Sequence, residues 1–173
     1  IIIIDDGSTD GTQKILEKSC FIILIVLDKN YGKGIAIRKG LENSKNDMTI
    51  IYDGDLELHS DGIFDLMILN RKKNIFSIMG TRFKSLNPIR SSFDWGNFIF
   101  TIFFNFLNKS AHKDILCCAK SFYKKDIPLN KLKSLGFDID IELSSFLTKN
   151  NRAAGIKQVL IPYKRRSINQ GKK

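Results

Sequence analysis

"IIIIDDGSTDGT", Ile1 to Thr12, sets four β-branched apolar residues directly against two carboxylates and a run of turn formers. A short, continuous apolar run bounded by turn signals reads as a strand buried on both faces, not as one alternating between core and water. The residues after it carry the marks of a helix start. In "STDGTQKILEKSC", Ser8 or Thr9 serves as N-cap, acid stands in the first turn, and Ile15 and Leu16 share a side. The pattern then recurs: "FIILIVL" (Phe21 to Leu27) is a second apolar strand, and "NYGKGIAIRKGLENSK" is a Gly-rich turn leading to a helix with Ile35 and Leu41. "MTIIY" (Met48 to Tyr52) is a third strand, running into "DGDLE". Apolar strands alternating with helices define β-α-β units, hence a mostly parallel sheet covered on both faces. Ligands of such sheets bind outside the carboxyl ends of the strands, where both acid clusters, Asp5-Asp6 and Asp53-Gly54-Asp55, fall.

Working outward, Ser60 caps a helix through Asn70, "FSIMGTR" is a strand, and "WGNFIFTIFFNFLNK" is a helix apolar enough for the core or for a membrane surface. "ILCCAKSFYK" reads as a strand, "DIDIELSSFLTKNN" as a helix and "AGIKQVLIPYKRR" as a final strand leaving the core with basic residues. A length of 173 residues suits one domain with a substantial core. Hydrophobic content of 43% with 27% charged residues excludes collagen-like, disordered and disulfide-rich classes. No run reaches the roughly 18 apolar residues that a membrane-spanning helix needs, and no signal-peptide pattern opens the chain. Cys20, Cys117 and Cys118 form no CxxC pair and have only His59 and His112 as further soft ligands, so they read as buried, reduced thiols.

Charge is unevenly placed. The net charge is +10, yet twelve of the eighteen acids lie in residues 1–65, and eight Lys or Arg residues follow the last acid, Glu142. This asymmetry points to an anionic partner for the C-terminal half: nucleic acid, a phosphorylated small molecule or an anionic membrane surface. A solvated basic face is the plain alternative.

In "YDGDLE", side chains two apart on an extended segment point the same way. Asp53 and Asp55 can therefore converge on one cation, with Gly54 leaving room between them and Glu57 continuing the face. Hard oxygen ligands select Mg²⁺ or Mn²⁺, ions that keep coordination sites for substrate phosphates. A lone D-x-D is also compatible with a solvated acidic turn, and its position at the end of a buried strand favours the cation. "NYGKG" (Asn30 to Gly34) offers Lys33 and a following helix N-terminus to a phosphate. Walker A spacing and G-x-G-x-x-G are both absent, which removes P-loop NTPases and dinucleotide dehydrogenases.

Seven segments, "IIIIDDGSTDGT", "NYGKGIAIRKGLE", "IIYDGDLELHSDGI", "MGTR", "KDILCCAKSFYKKDI", "GFDIDIEL" and "YKRRSINQGKK", follow one another in the order and approximate spacing of family 2 glycosyltransferases. More narrowly, the chain resembles the dolichol-phosphate mannose synthase group, which moves a hexose from a nucleotide sugar to a polyprenyl phosphate. The resemblance covers essentially the whole chain. It implies a GT-A, Rossmann-like fold, a three-layer α/β/α with a mostly parallel central sheet. It further implies Mg²⁺ or Mn²⁺ as cofactor, a nucleotide-sugar donor of GDP-mannose or UDP-glucose type, a polyprenyl or dolichyl phosphate acceptor, and peripheral contact with the cytoplasmic face of a membrane.

The resemblance also assigns roles. Asp5 and Asp6 would lie near the nucleoside, with Lys33, Asp53 and Asp55 completing the donor site; Asp53, Asp55 and Glu57 would hold the cation. Arg82 would face the donor or lipid phosphate, Asp114 and Lys120 match the family's "D…CxK" segment, and Arg166 with Gly171, Lys172 and Lys173 matches its "YxxR…GKK" tail. The acceptor phosphate would thus meet Arg82, Lys120, Arg166 and Lys172, with Lys84 and Arg90 in a mobile acceptor loop, and Asp55, Arg82, Asp114 and Arg166 would be the catalytic set. The family's first strand and its P-x-Y-N-E motif have no counterpart, so the chain reads as one catalytic domain starting at the second strand. Leu160, Glu57 and Gly54 stand where the group usually has Pro, Gln and Ala.

A phosphate acceptor is already an anion and needs no general base. A sugar hydroxyl needs one, and Asp114, Asp138, Asp140 or Glu142 would be the candidates, the last three doubling as favourable charges at a helix N-terminus. Three other readings compete with transfer to a lipid phosphate. They are transfer to a saccharide in polysaccharide assembly, a non-catalytic basic module binding membrane or nucleic acid, and an inactive remnant of the family.

Overall fold

A computed structural model of the chain describes residues 1–84, 92–151 and 155–166. Within these, the strands are β1 (Ile2–Asp5), β2 (Ile23–Val26), β3 (Met48–Ile51), β4 (Ser77–Thr81), β5 (Lys120–Tyr123) and β6 (Ile156–Leu160). The helices are α1 (Thr12–Leu16), α2 (Lys33–Asn43), α3 (Gly62–Leu66), α4 (Ser92–Asn108) and α5 (Ile139–Asn151). β1 and β2 pair in parallel, Ile2 opposite Ile23 and Asp5 opposite Val26. The other four strands form a second sheet in the order β3-β5-β4-β6. There β4 and β6 are parallel, whereas β5 is antiparallel to both β3 and β4. Three strands thus run one way, and the mostly parallel α/β architecture read from the sequence holds with β5 inserted in reverse.

Each face of the second sheet has its own core. Ile78, Ala119 and Tyr123 pack with Leu58, Leu66 and Ile161 on the α3 side. Their strand neighbours Met79 and Phe122 point the opposite way, to Leu41 of α2 and to Leu143 and Leu147 of α5. The switch between residues 78 and 79, and between 122 and 123, follows from the two-residue period of a strand. It yields three layers, helix on sheet on helix. Fully burying a side chain such as Ile78, Phe122 or Leu143 contributes on the order of 1.5–3 kcal/mol.

Several local expectations need correction. β1 and β2 are only half-buried, and Ile23 is 50% exposed. Among the described residues, each of these two strands hydrogen-bonds to one neighbour, so an edge is left open. The N-cap of α1 is Gly11 in the left-handed region, not Ser8 or Thr9. The Ser8 N–H is taken by Asp5 Oδ1 at 2.9 Å, and Asp10 accepts from the Thr12 N–H and hydroxyl. α3 begins after Asp61 and stops at Leu66; a separate 3₁₀ turn, Arg71–Lys73, is capped by the Asn70 side chain. Cys117 and Cys118 are buried and free as expected, burial pushing the Cys117 thiol up to about 11, but Cys20 is exposed.

Candidate active site

β3 delivers its following residues to the open end of the sheet. Asp53 Oδ2 lies 2.9 Å from Lys33 Nζ. Asp55 Oδ1 accepts the Glu57 N–H at 3.0 Å, and its Oδ2 lies 3.4 Å from the Arg166 guanidinium. Two of the chain's own cations therefore already face the two carboxylates of the D-x-D. Arg166 arrives there because the segment after β6 runs antiparallel to the acidic loop: the Lys164 N–H donates to Glu57 O at 2.8 Å and the His59 N–H to Pro162 O at 2.9 Å. The Arg166 N–H donates to Glu57 Oε1 at 3.1 Å. Between the acids, Leu56 is exposed and holds φ at 62°, in the left-handed region that costs an L-residue about 1 kcal/mol. Gly54 faces open space and is not demanded by any neighbour.

The Gly-Lys-Gly turn serves packing before phosphate. Gly32 has φ 95°, and a Cβ at Gly32 or Gly34 would run into the carbonyls of Leu135 or Ser134. The Gly34 N–H, at the start of α2, donates to Leu135 O at 2.7 Å. That amide is thereby taken, and the Lys33 side chain is what presents positive charge. Burial works against this charge, but the Asp140 and Asp53 carboxylates more than offset it and raise the Lys33 pKa above the usual lysine range. Asp6 fixes the turn by accepting the Tyr31 and Gly32 N–H groups at 2.8 and 2.9 Å. Asp5 is buried, and its Oδ2 has no hydrogen-bond partner among the described residues.

Beyond β4, Arg82 and Asp114 form a two-pronged ion pair, Nε to Oδ2 at 2.7 Å and a terminal nitrogen to Oδ1 at 2.8 Å. The Arg82 N–H adds a bond to Oδ2 at 3.1 Å, and Asn97 of α4 donates to Oδ1 at 3.0 Å. With each oxygen accepting two hydrogen bonds, Asp114 orients Arg82, whose guanidinium carbon lies 5.5 Å from the centre of the Tyr163 ring. Lys120, read from the sequence as an acceptor-phosphate ligand, is turned inward and only 1% exposed, with its ammonium on the Cys117 and Ile115 carbonyls and Asp140. Asp138 accepts the Gly136 N–H, and Glu142 accepts those of Lys133 and Ser134. Lys84 is exposed. Arg90, Gly171, Lys172 and Lys173 lie outside the described residues. Sequence reasoning missed Asn97 and the Arg82–Tyr163 stacking; a lone Asn within an apolar helix was the available signal for the first.

α4 reverses the usual amphipathic arrangement. Among the described side chains, Asn97, Thr101 and Phe104, at helical spacing, are buried, while Phe100, Phe103, Phe106 and Leu107 are each more than half exposed. Its flanks at Lys109 and Lys113 are basic and exposed. Among the described residues, no helix is long and apolar enough to cross a membrane.

A three-layer sheet domain with an acid pair at one strand end and a basic arm folded onto it has the GT-A architecture of nucleotide-sugar transferases. The chain belongs to glycosyl transferase family 2, whose profile matches residues 1–127. Among curated relatives, it is 27% identical to glycosyltransferase AglJ of Haloferax volcanii over 165 residues, 94% of this chain and 52% of that protein. It is 33% identical to an undecaprenyl-phosphate 4-deoxy-4-formamido-L-arabinose transferase of Pseudomonas fluorescens over 86 residues, 47% of this chain and 25% of that protein. The chain thus spans about half the length, or less, of these relatives. Glucosyl-3-phosphoglycerate synthase of Mycobacterium tuberculosis, solved with UDP, superposes with a TM-score of 0.74 at 17% identity, over 96% of this chain and 60% of that one. The same enzyme with Mn²⁺, UDP-glucose and phosphoglyceric acid gives 0.73 at 16% identity, over 98% and 62%. The chain is therefore a family 2 glycosyltransferase domain by descent, and the solved structures share its fold.

Proposed function

We propose that the chain carries the catalytic centre of a transferase that moves a hexose from a nucleotide sugar to a polyprenyl phosphate at the cytoplasmic face of a membrane. The observation that carries the acceptor class is the state of the acids. A hydroxyl acceptor needs a base, and the buried or fully bonded candidates are engaged: Asp114 by Arg82 and Asn97, Asp140 by Lys33, and both Glu142 oxygens by backbone amides, while exposed Asp138 accepts one backbone N–H through Oδ1. A phosphate monoester is an anion at neutral pH and attacks without one. Transfer to a saccharide lacks that support, and a purely basic binding module leaves the D-x-D at a strand end without a use. The relative named for undecaprenyl phosphate agrees with this acceptor class.

The residues present fit a divalent cation. Mg²⁺ and Mn²⁺ are commonly bound through one or two carboxylates plus water and substrate phosphates; Asp53 and Asp55 are such a pair, each already drawing a cation of the chain. Among the described residues, no group of three His, Cys, Asp or Glu is arranged to hold a metal ion, so Glu57 joins as a third ligand only by rearrangement. Bound there, the cation supplies charge neutralisation of the leaving diphosphate. The chain's residues do the rest. Asp5 Oδ2 accepts from the nucleoside and Asp6 keeps the Tyr31–Gly32 turn in place, while Lys33 and Arg166 face the diphosphate and Arg82 holds the attacking phosphate in line. A phosphate oxygen of the acceptor forms a bond to the anomeric carbon as the bond from that carbon to the diphosphate oxygen breaks, with the electron pair leaving on the nucleoside diphosphate. One displacement inverts the anomeric configuration. The exposed apolar face of α4, flanked by Lys109 and Lys113, lies on the anionic lipid surface that presents the acceptor.

The test is incubation with Mg²⁺ or Mn²⁺, a panel of GDP- and UDP-hexoses and a short polyprenyl phosphate. One glycolipid of inverted configuration, abolished by chelator, is expected. Detection of a covalent glycosyl-enzyme, or transfer only to free saccharides, overturns the reading.

A further inference from the structure

Four charged side chains, from α2, the loop after β3, α5 and β5, form a chain of contacts into the protein. Lys33 Nζ, from α2, lies 2.9 Å from Asp53 Oδ2 and 2.9 Å from Asp140 Oδ2 of α5. The other oxygen of Asp140 lies 3.5 Å from Lys120 Nζ of β5, which ends on the carbonyls of Cys117 and Ile115. Side-chain exposure falls along the line, from 35% at Asp53 through 13% at Lys33 and 5% at Asp140 to 1% at Lys120. The charges alternate and balance. Burying charge is costly unless each group is paired, and breaking a buried pair leaves the survivor uncompensated. Holding Asp53 alone would not require the inner three groups, because a carboxylate at a strand end is hydrated by water.

We infer that Asp140, braced by Lys120, is a positioning residue that shares the Lys33 ammonium so that Asp53 can turn to a divalent cation without stranding Lys33. This rests on the reading of Asp53 as a cation ligand. With Asp140 in place, Lys33 keeps an anion when Asp53 is drawn away, and it stays as a fixed positive charge beside the donor diphosphate. Without Asp140, Lys33 has Asp53 as its remaining partner in the line, and every cation bound at Asp53 must break that pair. Asp140 thereby acts on cation affinity through Lys33 and not by contact.

A double-mutant cycle separates this relay from a simple field effect. Removing the negative charge of Asp140 lowers cation affinity by direct electrostatics whether or not Lys33 is present, whereas the relay operates only through Lys33. Mn²⁺ binding, followed by the electron paramagnetic resonance of free Mn²⁺, is measured on the wild-type chain, Asp140→Asn, Lys33→Met and the double variant, each checked by circular dichroism. Asp140→Asn is expected to weaken Mn²⁺ binding about tenfold in the wild-type background and less than about twofold in the Lys33→Met background. Lys33→Met, which leaves the Asp140–Lys120 pair intact, is expected to bind at least as tightly as wild type. Equal losses in the two backgrounds, or weaker binding by Lys33→Met, overturn the inference while leaving the cation at Asp53 standing. Absence of Mn²⁺ binding by the wild-type chain overturns the cation assignment and the inference together.

Discussion

Arg82 and Asp114, thirty-two residues apart in sequence, meet through two parallel side-chain hydrogen bonds of 2.7 and 2.8 Å, with the carboxylate buried beneath the guanidinium. The pair fixes the direction in which Arg82 meets an incoming phosphate. Asp114→Asn is expected to cost about 2–4 kcal/mol, because it leaves a mostly buried guanidinium without its counter-charge. Arg82→Lys should raise the acceptor KM about tenfold or more, since an ammonium cannot reproduce the planar fork. Urea unfolding measures the first effect, and the acceptor KM measures the second.

Arg166 presents the opposite case. Its pair with Asp55 is long, at 3.4 Å, and about a third exposed on each side. Arg166→Ala should therefore change stability by less than about 1 kcal/mol. Turnover should nonetheless fall by one to two orders of magnitude if the guanidinium neutralises developing charge on the diphosphate. Unfolding and turnover measured on the same preparation separate the two effects.

His112 gives a pH signature. It is buried, with Nε2 2.8 Å from Thr148 Oγ1, and burial together with the Lys120 charge pushes its pKa down from 6.5 to about 4. The unfolded chain binds this proton more readily than the folded one. The contribution to stability is thus complete above pH 6.5 and is lost as pH falls towards 4, by on the order of 2–3 kcal/mol. Unfolding free energy measured from pH 7 to 4 should fall with this slope, and His112→Gln should flatten it.

The outward aromatic residues of α4 should be silent in folding and active at a surface. Phe103→Ser and Phe106→Ser are expected to change stability by less than about 0.5 kcal/mol, since both side chains are already mostly exposed. Both should weaken co-sedimentation with anionic phospholipid vesicles severalfold, and high salt should weaken it further through Lys109 and Lys113.

The sequence displayed some of these features and hid others for physical reasons. β4 was legible because all five of its residues are buried and nothing interrupts the apolar run except small polar groups. The reversed direction of β5 was not, because a four-residue strand pairs either way and only its neighbours decide. The carboxylates of Asp53 and Asp55 stood out as an i, i+2 pair just after a strand; their separate partners, Lys33 and Arg166, come from distant parts of the chain and left no mark in the local spacing. Lys120 could not be read correctly from composition: a lysine is expected at the surface, and its partner Asp140 lies twenty residues on, in a different element. α4 was ambiguous because it is apolar on most sides, and which side faces in depends on where Asn97 finds Asp114.

The account stands most directly on Asp55. With Mn²⁺, a competent nucleotide hexose and a short polyprenyl phosphate, glycolipid formation is measured by mass spectrometry for the wild-type chain and for Asp55→Asn. The carboxylate is about a third exposed and its ion pair is long, so the substitution should leave the fold intact. The account predicts a loss of at least about a hundredfold in turnover, the scale expected when the principal electrostatic support of the leaving group is withdrawn. Full turnover by Asp55→Asn, at wild-type affinity for Mn²⁺, would contradict it.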